Sequence, residues 1–217
     1  MRDDLIADHC RPAGLRERKK LATRHAIGVA AMRLAIERGL DNVLVEEIAA
    51  AAGISPRTFS NYFGSKYEAI CALAMDRGQR TGAALRERPA TEPLGEAITS
   101  AVLQQYAVAE QAPDKDWISG VRLVIRSPAL QGEYLKTQYV TQHALADAIA
   151  ERTGADLRID MFPQVMAGAV TAATQVAMER WLLSDPPTAL APLIRRALGE
   201  LGGSQLTLSQ TNCPLPA

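Results

Sequence analysis

The chain has 217 residues, of which 47% are hydrophobic and 5% aromatic, and its 24 Lys and Arg balance its 24 Asp and Glu. This length and apolar content are sufficient for a folded core and exclude a wholly disordered chain. No stretch approaches the ~18 apolar residues of a membrane span, and the N-terminus MRDDLIADHC is too acidic for a secretory signal. We therefore expect a cytoplasmic protein.

The zero net charge hides a difference between two parts of the chain. Residues 11–66 contain ten Lys/Arg and five Asp/Glu, a difference of +5, whereas residues 67–217 contain thirteen and sixteen, a difference of −3. Phosphate binding requires a positive field of this local kind. The charge pattern is therefore compatible with a nucleic-acid partner.

The residue types that carry metal and nucleophilic chemistry are scattered. The three cysteines are odd in number and far apart, which is typical of a reducing cytosol. Neither they nor the histidines have the spacing of metal ligands; these residues are Cys10, Cys71, Cys213, His9, His25 and His143. With no nucleophile near a base in sequence and no Gly-rich phosphate loop, we expect no cofactor and no enzymatic activity.

The chain begins with an arm that is predicted to be flexible, over residues 1–14. A helix is predicted from Leu15 to a stop at Gly39. Its apolar face is formed by Ile27, Ala30, Ala31 and Leu34. Basic residues cluster at its start, and they are Arg16, Arg18, Lys19, Lys20 and Arg24. Such a cluster is equally compatible with an ordinary solvated helix face.

Two short helices are predicted next, over 45–52 and 56–63. Between them, Gly53 suits the left-handed residue that ends a helix, Ser55 is a preferred N-cap and Pro56 fits a first helical position. The pattern is therefore helix, turn, helix. The residues predicted to face inward are Ile48, Ala49, Ala52, Ile54, Phe59 and Phe63, and those predicted to face outward are Arg57, Thr58, Ser60, Asn61 and Tyr62.

The rest of the chain also has helical periodicity. A long helix is predicted over 65–88 and ends before Pro89. Further helical patterns lie at about 94–102, 117–125, 130–149, 156–183 and 188–201, and a tail over 203–217 is predicted to be disordered. The fold class is therefore all-α with about nine helices, divided into a helix-turn-helix domain over 15–66 and a larger helical domain over 67–202.

The N-terminal motif resembles the TetR family of transcriptional regulators over roughly residues 16–70. The resemblance is specific because several independent features fall in one register. The matching residues are Thr23, Ile27, Ala30, Ala31, Leu34, Gly39, Ile48, Ala49, Ala52, Gly53, Ile54, Ser55, Thr58, Phe59, Tyr62, Phe63, Ser65 and Lys66. The resemblance implies an N-terminal three-helix DNA-binding domain and a larger helical domain that dimerises and binds a small-molecule effector.

The resemblance also implies which residues touch DNA. The helix after Ser55 would enter the major groove, with Arg57 and Thr58 reaching base edges. Ser60, Asn61 and Tyr62 would contact bases or phosphates, and Lys66 would hold a phosphate at the next helix start. Together with the basic cluster and the two helix starts, the predicted set is Arg16, Lys19, Lys20, Arg24, Val45, Ser55, Arg57, Thr58, Ser60, Asn61, Tyr62 and Lys66. Each member of this set from Arg57 to Lys66 could instead be an ordinary exposed polar residue.

The motif departs from the family pattern at two positions. Leu44 and Val45 stand where such proteins usually have a Thr that caps the second helix, which costs about 1 kcal/mol of capping energy. Glu47 keeps the acidic position of a capping box. Ser60 stands at a position where an aromatic residue is common in the family. We therefore expect the basic segment 16–24 to supply more of the affinity for DNA.

A dimer is expected because two recognition helices must lie about one turn of DNA apart, ~34–36 Å, on a palindromic operator. The predicted interface is the last helix pair. Its first helix has the small-residue stretch MAGAVTAAT over 166–174, and its second has an apolar stripe. The stripe consists of Leu190, Leu193, Ile194, Ala197, Leu198 and Leu201. Either helix could instead belong to the core of one protomer.

The effector site is expected among residues 94–181, where pockets would combine apolar and a few polar side chains. The candidates are Tyr106, Trp117, Arg122, Tyr134, Tyr139, His143, Met166, Gln175, Met178 and Trp181. Aromatic residues and Met at helical spacing are more often core. Arg122 and Arg126 lie four apart and could meet a carboxylate or the phosphates of an acyl-CoA, although a solvated face is the commoner arrangement.

These observations predict a dimeric, ligand-responsive DNA-binding regulator, with repression as its output. A ligand that prefers a conformer with splayed recognition helices would release the operator. A transcriptional activator of the same fold is one alternative. A helical protein-interaction module is another, and it predicts no salt-dependent DNA binding.

Overall fold

The computed structural model describes residues 14–106, 115–184 and 189–203. Within these ranges the chain forms nine α-helices and no β-strand, which confirms the all-α prediction. The helices are α1 (Leu15–Arg38), α2 (Val45–Ala51), α3 (Pro56–Ser60), α4 (Lys66–Glu87), α5 (Leu94–Gln104), α6 (Lys115–Arg126), α7 (Gln131–Thr153), α8 (Phe162–Leu183) and α9 (Leu190–Gly203). Short 3-10 turns occupy Leu40–Asn42 and Pro128–Leu130.

Several sequence predictions concern residues outside the described ranges. These predictions concern residues 1–13 of the predicted arm, residues 204–217 of the predicted tail, and His9, Cys10 and Cys213. No helix in the described part of the chain is both long and apolar enough to cross a membrane. Likewise, no cluster of three or more potential metal-binding side chains occurs among the described residues.

α3 and α8 are both shorter than predicted. α3 ends at Ser60 instead of residue 63, because the Asn61 and Tyr62 amides bond to carbonyls three residues back, at 3.1 and 2.9 Å, and tighten the chain. α9 runs from Leu190 to Gly203, so it includes the first residue of the predicted tail, and its predicted start at residue 188 lies outside the described residues.

The start of α8 is the largest correction, at Phe162 instead of residue 156. The carboxylate of Asp156 accepts the Arg158 amide at 2.9 Å, and the Asp160 amide returns to the Asp156 carbonyl at 2.7 Å. A side chain that bonds its own backbone in this way competes with helix formation. The residues before Phe162 therefore form a closed turn.

The chain divides into two compact units, Met1–Gly78 with Asp114–Val140, and Gln79–Pro113 with Thr141–Ala217. The first unit holds the helix-turn-helix and also α6, which the sequence placed in the larger domain. α6 packs on α1 at Gly120, where a Cβ would lie 3.2 Å from the Met32 sulfur. Val124 and Leu130 then join the core of this unit.

The core of the first unit explains why two short helices are stable there. α2 and α3 have seven and five residues, too few to be stable alone. Their apolar side chains join the face of α1 that was predicted to be buried. The buried members of this core include Ile27, Ala31, Val43, Ile48, Ala49, Phe59, Phe63 and Ile70. α2 and α3 are therefore held by burial against α1 and α4.

The second unit is built around α8 and α9, which pack along each other, with α5 against α9. Trp181 is fully buried in it. The apolar stripe of α9, predicted as a dimer face, lies largely inside the protomer: Leu190 and Ile194 are 0% exposed and Leu198 is 7% exposed. The stripe is covered because α8 and α5 both pack against it.

Candidate nucleic-acid interface

The turn between α2 and α3 has the predicted geometry. Gly53 has φ of 68°, and the Ile54 amide bonds to the Ala49 carbonyl at 2.9 Å, which is the Schellman arrangement for ending a helix. The Ser55 hydroxyl then accepts the Thr58 amide at 3.1 Å, and Pro56 occupies the first turn of α3. Local sequence therefore sets the angle at which α3 leaves the turn.

α3 presents polar side chains on one side and an aromatic anchor on the other. Phe59 is 2% exposed and stacks in a tilted geometry on Phe63, with ring centroids 5.8 Å apart. Arg57, Ser60 and Asn61 are exposed. Arg57 has no hydrogen-bond or ion-pair partner within the described ranges, so its guanidinium can be offered to another molecule.

The hydroxyl groups of α3 also bond within the helix. Ser55 and Thr58 share a hydroxyl contact of 2.9 Å, and Ser60 donates to the Pro56 carbonyl at 3.2 Å. A hydroxyl has one donor and two acceptor sites, so each keeps capacity for a further bond.

A groove joins the start of α1 to the exposed side of α3. It has a volume of about 1070 Å³ and is lined by Leu15, Arg16, Glu17, Lys19, Lys20, Thr23, Thr58, Asn61 and Tyr62. The structure thus brings three predicted basic residues together with three predicted residues of the α3 region. We call this surface the recognition groove.

Three groove residues were missed in the sequence: Leu15, Glu17 and Thr23. A signal existed for Thr23, because it is four residues from Lys19 and shares its helix face. Its hydroxyl donates to the Lys19 carbonyl at 2.9 Å. Glu17 places one negative charge among the cations of the groove.

The start of α2 lacks a side-chain cap, as expected from Leu44, which is 59% exposed. Glu47 compensates in part, because its carboxylate accepts the Leu44 amide at 3.1 Å and also pairs with Arg38 at 2.7 Å. Val45, in the predicted DNA-contact set, is half-buried and packs against the core of the first unit.

Two cations of the predicted set point toward the protein. The Lys66 ammonium donates to the Leu40 and Val43 carbonyls at 2.9 Å each and lies 3.4 Å from the Asp41 carbonyl. Arg24 is only 21% exposed at its side chain and lies over the Phe63 ring, 4.4 Å from the centroid. Both therefore differ in geometry from the cations that line the recognition groove.

The candidate effector residues are distributed over both units. Trp117, Arg122, Tyr134 and Tyr139 belong to the first unit, and Tyr106, His143, Met166, Gln175, Met178 and Trp181 to the second. Trp181 and Met178 are 0% and 8% exposed and form part of the core. The exposed members are Arg122, Tyr139 and His143, and the half-buried ones are Tyr106, Trp117, Tyr134, Met166 and Gln175.

Two family models match the chain. The model of bacterial regulatory proteins of the tetR family matches residues 27–70, and the model of the MftR C-terminal domain matches residues 92–204. The first match contains the helix-turn-helix, and the second covers α5 to α9.

Curated relatives and a solved structure agree with these matches. The chain is 34% identical to the HTH-type transcriptional regulator TcmR of Streptomyces glaucescens, over 78% of this chain and 77% of that protein. It is 26% identical to the putative mycofactocin biosynthesis transcriptional regulator MftR of Mycobacterium tuberculosis, over 89% and 96%. The fold resembles that of SmeT, the repressor of the Stenotrophomonas maltophilia efflux pump SmeDEF, in its triclosan complex, with a TM-score of 0.58, 18% identity, and coverage of 90% and 99%.

Regulators of this family bind DNA operators and small-molecule effectors and act as dimers. The helix-turn-helix predicted from the sequence, the described all-helical fold and the relatives agree on one assignment, a DNA-binding regulator and not an enzyme. The chain therefore belongs to the TetR family of bacterial transcriptional regulators.

Proposed function

We propose that this chain is a cytoplasmic repressor that binds a palindromic operator as a homodimer and leaves it when a small, mostly apolar effector binds. The observation that carries the proposal is the recognition groove, in which the cations of α1 face the polar side of α3. In this division of the chain, residues 15–66 read DNA, and residues 67–202 bind the effector and dimerise.

The operator contacts separate into two kinds. Arg57 and Thr58 read base edges in the major groove, and Arg is suited to bidentate bonding with guanine. Arg16, Lys19 and Lys20, at the entrance of the recognition groove, bind phosphates. Ser60, Asn61 and Tyr62, with Val45 and Ser55 at the helix starts, complete the surface. Arg24 and Lys66 belong to the same predicted set but direct their donors at the protein.

The dimer forms through α8 and α9. α8 carries exposed or half-buried apolar side chains at heptad-like spacing, which we call the α8 face: Phe162, Val165, Ala169, Ala172, Val176 and Leu183, of which Ala169 is half-buried. Its large members are strongly exposed, for example Val165 at 66% and Leu183 at 74%. Uncovered apolar residues at this spacing favour packing against another helix, and the alanines permit close approach.

A shallow groove beside the α8 face supports a second copy as its occupant. It has a volume of about 280 Å³ and is lined by Val176, Ala177, Arg180, Leu193, Arg196, Ala197 and Glu200. Its apolar floor and its charges of both signs suit a self-complementary contact about a two-fold axis. The members of the α9 stripe that stay partly uncovered, Leu193, Ala197 and Leu201, extend this surface.

The effector binds in the helical domain and acts by shifting a population of conformers. SmeT, a relative in fold, has a structure with triclosan. Among the candidate lining residues of the second unit, half-buried Tyr106, Met166 and Gln175 are the best placed, because fully buried residues are already covered by core neighbours. A ligand that prefers splayed recognition helices would release the operator in proportion to its preference.

Operator binding is tested by fluorescence anisotropy on the DNA upstream of the chain's own gene. Wild type should bind this duplex more tightly than a shuffled one at moderate salt, and Arg57→Ala/Tyr62→Ala should lose that preference. Arg33→Ala, an exposed Arg of α1 that does not line the recognition groove, is the matched control. Equal binding by wild type and the double variant would overturn the proposal and favour a helical interaction module.

Effector release is tested separately. A panel of apolar small molecules is screened for an increase in the melting temperature of the protein. Any compound that binds should also raise the operator Kd in the anisotropy assay. A binder that leaves the operator Kd unchanged would contradict ligand-induced release, and one that lowers it would favour the alternative of an activator.

A further inference from the structure

Lys66 occupies a position that a phosphate-binding role does not explain. It is the first residue of α4, where a positive charge opposes the positive end of the helix dipole. Its ammonium has three N–H donors, and three backbone carbonyls lie within 3.4 Å of it. The side chain is half-buried, and its ammonium donates to carbonyls of its own protein.

The carbonyls that Lys66 binds belong to the segment that leads into α2. Leu40 and Asp41 lie in the 3-10 turn after α1, and Val43 precedes the N-cap residue of α2. Carbonyls at the end of a helical turn lack partners in their own segment. Leu40 and Val43 are also buried, at 9% and 0% exposure, so the ammonium bonds to buried positions of the segment from which α2 starts.

Arg24 makes an equivalent connection at the other end of the helix pair. Its guanidinium stacks on Phe63, donates to the Tyr62 carbonyl at 3.4 Å and pairs with Asp76 of α4 at 3.7 Å. A planar guanidinium suits this combination of stacking and bonding in several directions. Arg24 thus connects α1 and α4 to the turn that follows α3.

We propose that Arg24 and Lys66 are positioning residues: Lys66 sets where α2 begins, Arg24 sets where the chain leaves α3, and neither binds phosphate. Together they hold the recognition pair at the angle that the operator requires. Phosphate binding is left to the cations of the recognition groove. This inference rests on the proposed operator binding.

The test distinguishes a positioning role, a phosphate contact and a role in stability alone by their effects on DNA binding. Wild type first selects a duplex from a random-sequence pool. Operator affinity, affinity for a shuffled duplex and the salt dependence of both are then measured for Lys66→Met, for Lys66→Arg, and for Lys20→Met, a matched exposed lysine of the recognition groove. Thermal melts establish a temperature at which every variant is folded.

A positioning role predicts a loss of specificity. Lys66→Met should weaken binding to the selected duplex about tenfold, the scale of poorly satisfied polar groups. Its affinity for shuffled DNA should stay within about twofold of wild type, with an unchanged salt slope. Lys66→Arg should also bind the selected duplex weakly, because the larger planar guanidinium differs in size and geometry from the compact ammonium that bonds to these carbonyls. Lys20→Met should instead reduce the salt slope by about 0.9 and weaken both duplexes.

Two results would overturn the assignment of Lys66. A reduced salt slope in Lys66→Met, with wild-type behaviour of Lys66→Arg, would establish a phosphate contact. A lowered melting temperature with unchanged operator affinity would establish a role in stability alone. If wild type selects no sequence at all, the proposed function itself fails, and this result is visible before any variant is compared.

Arg24 is tested with Arg24→Lys, which keeps the charge and loses the planar stacking group. We expect weaker binding to the selected duplex with the salt slope and shuffled-DNA affinity unchanged. Wild-type affinity for the selected duplex would contradict the positioning role of the guanidinium.

Discussion

At the residue scale, the start of α2 shows how one substitution changes a capping site. Leu44 has no side-chain acceptor for the free amides of the first turn, so Glu47 alone supplies a side-chain bond there. Its carboxylate is shared between the Leu44 amide and Arg38. The N-cap residue of α2 therefore makes no side-chain hydrogen bond, and a mutation that adds one should increase the stability of the protein.

Replacing Leu44 with Thr should stabilise the protein. A Thr hydroxyl at this N-cap position would accept an amide of the first turn, a contribution of about 1 kcal/mol. Leu44 is 59% exposed, so little packing is lost. Urea unfolding measures the change, and Leu44→Ala, which removes the Leu without adding an acceptor, is the control. Equal midpoints for the two variants would show that the cap is not limiting.

Cys71 illustrates how burial controls the chemistry of a single group. Its side chain is 1% exposed in the core of the first unit. Burial, with a smaller effect from the negative charge of Glu133, raises the pKa of the thiol from 9.0 to about 12. The nucleophilic thiolate is therefore almost absent at neutral pH.

We expect Cys71 to resist alkylation in the folded protein. In a Cys10→Ser/Cys213→Ser variant, iodoacetamide at pH 8 should label Cys71 only after denaturation. The raised pKa also lowers stability at high pH, because the unfolded chain releases the proton first, so the loss begins near pH 9 and continues toward about pH 12. Rapid labelling of the native variant would contradict the burial of this thiol.

At the element scale, the packing of α4 on α7 in the second unit depends on one glycine. A Cβ at Gly82 would lie 2.5 Å from the Ala144 carbonyl oxygen, and this atom belongs to the backbone and cannot rotate away. The helices approach this closely because neither position carries a large side chain. Arg86 and Glu151 extend the same helix pair with hydrogen bonds of 2.6 and 2.8 Å.

Gly82→Ala should therefore destabilise the protein although Ala is the better helix former. Forcing the helices apart costs about 1–3 kcal/mol, more than the gain of up to about 1 kcal/mol in helix propensity. Gly95→Ala is the matched control, because no atom lies within 4 Å of a Cβ built there in α5. The urea midpoint should fall for Gly82→Ala, and it should rise or stay unchanged for Gly95→Ala. A stabilised Gly82→Ala would show that the helices separate easily.

At the scale of the whole molecule, the exposure of the α8 face has a direct consequence. Val176 is 48% exposed on the same face as Phe162 and Val165, and no described residue of the protomer covers them fully. A charge placed there would meet the equivalent residues of a second copy across a two-fold contact.

Val176→Glu should dissociate the dimer and preserve the fold of the protomer. Burial of an unpaired carboxylate in an apolar interface is strongly unfavourable. Light scattering should give the monomer mass, and operator affinity should fall because one recognition helix reads too few base pairs. Val29→Glu is the control for mass, since Val29 is 45% exposed on α1. A dimer that persists in Val176→Glu would place the interface elsewhere.

The local architecture of the DNA-binding part was predictable from neighbouring residues alone. Gly53 and Ser55 specify the turn, and the periodicity of α1 specifies its buried face, because these preferences act over a few neighbouring residues. Helix ends were less predictable where short-range bonds compete with the helix, as at Asp156.

The bonding partners of several side chains depend on the tertiary fold and could not be predicted from the sequence. In the sequence, Lys66 and Arg24 cannot be distinguished from the other cations. In the fold, Lys66 bonds to carbonyls and Arg24 stacks on a ring, and these groups are distant along the chain. The apolar stripe of α9 likewise gave no sign of whether its own protomer or a partner covers it, and α8 and α5 cover most of it. Charge and hydrophobicity identify what a residue can bind, whereas packing between separated segments decides what it does bind.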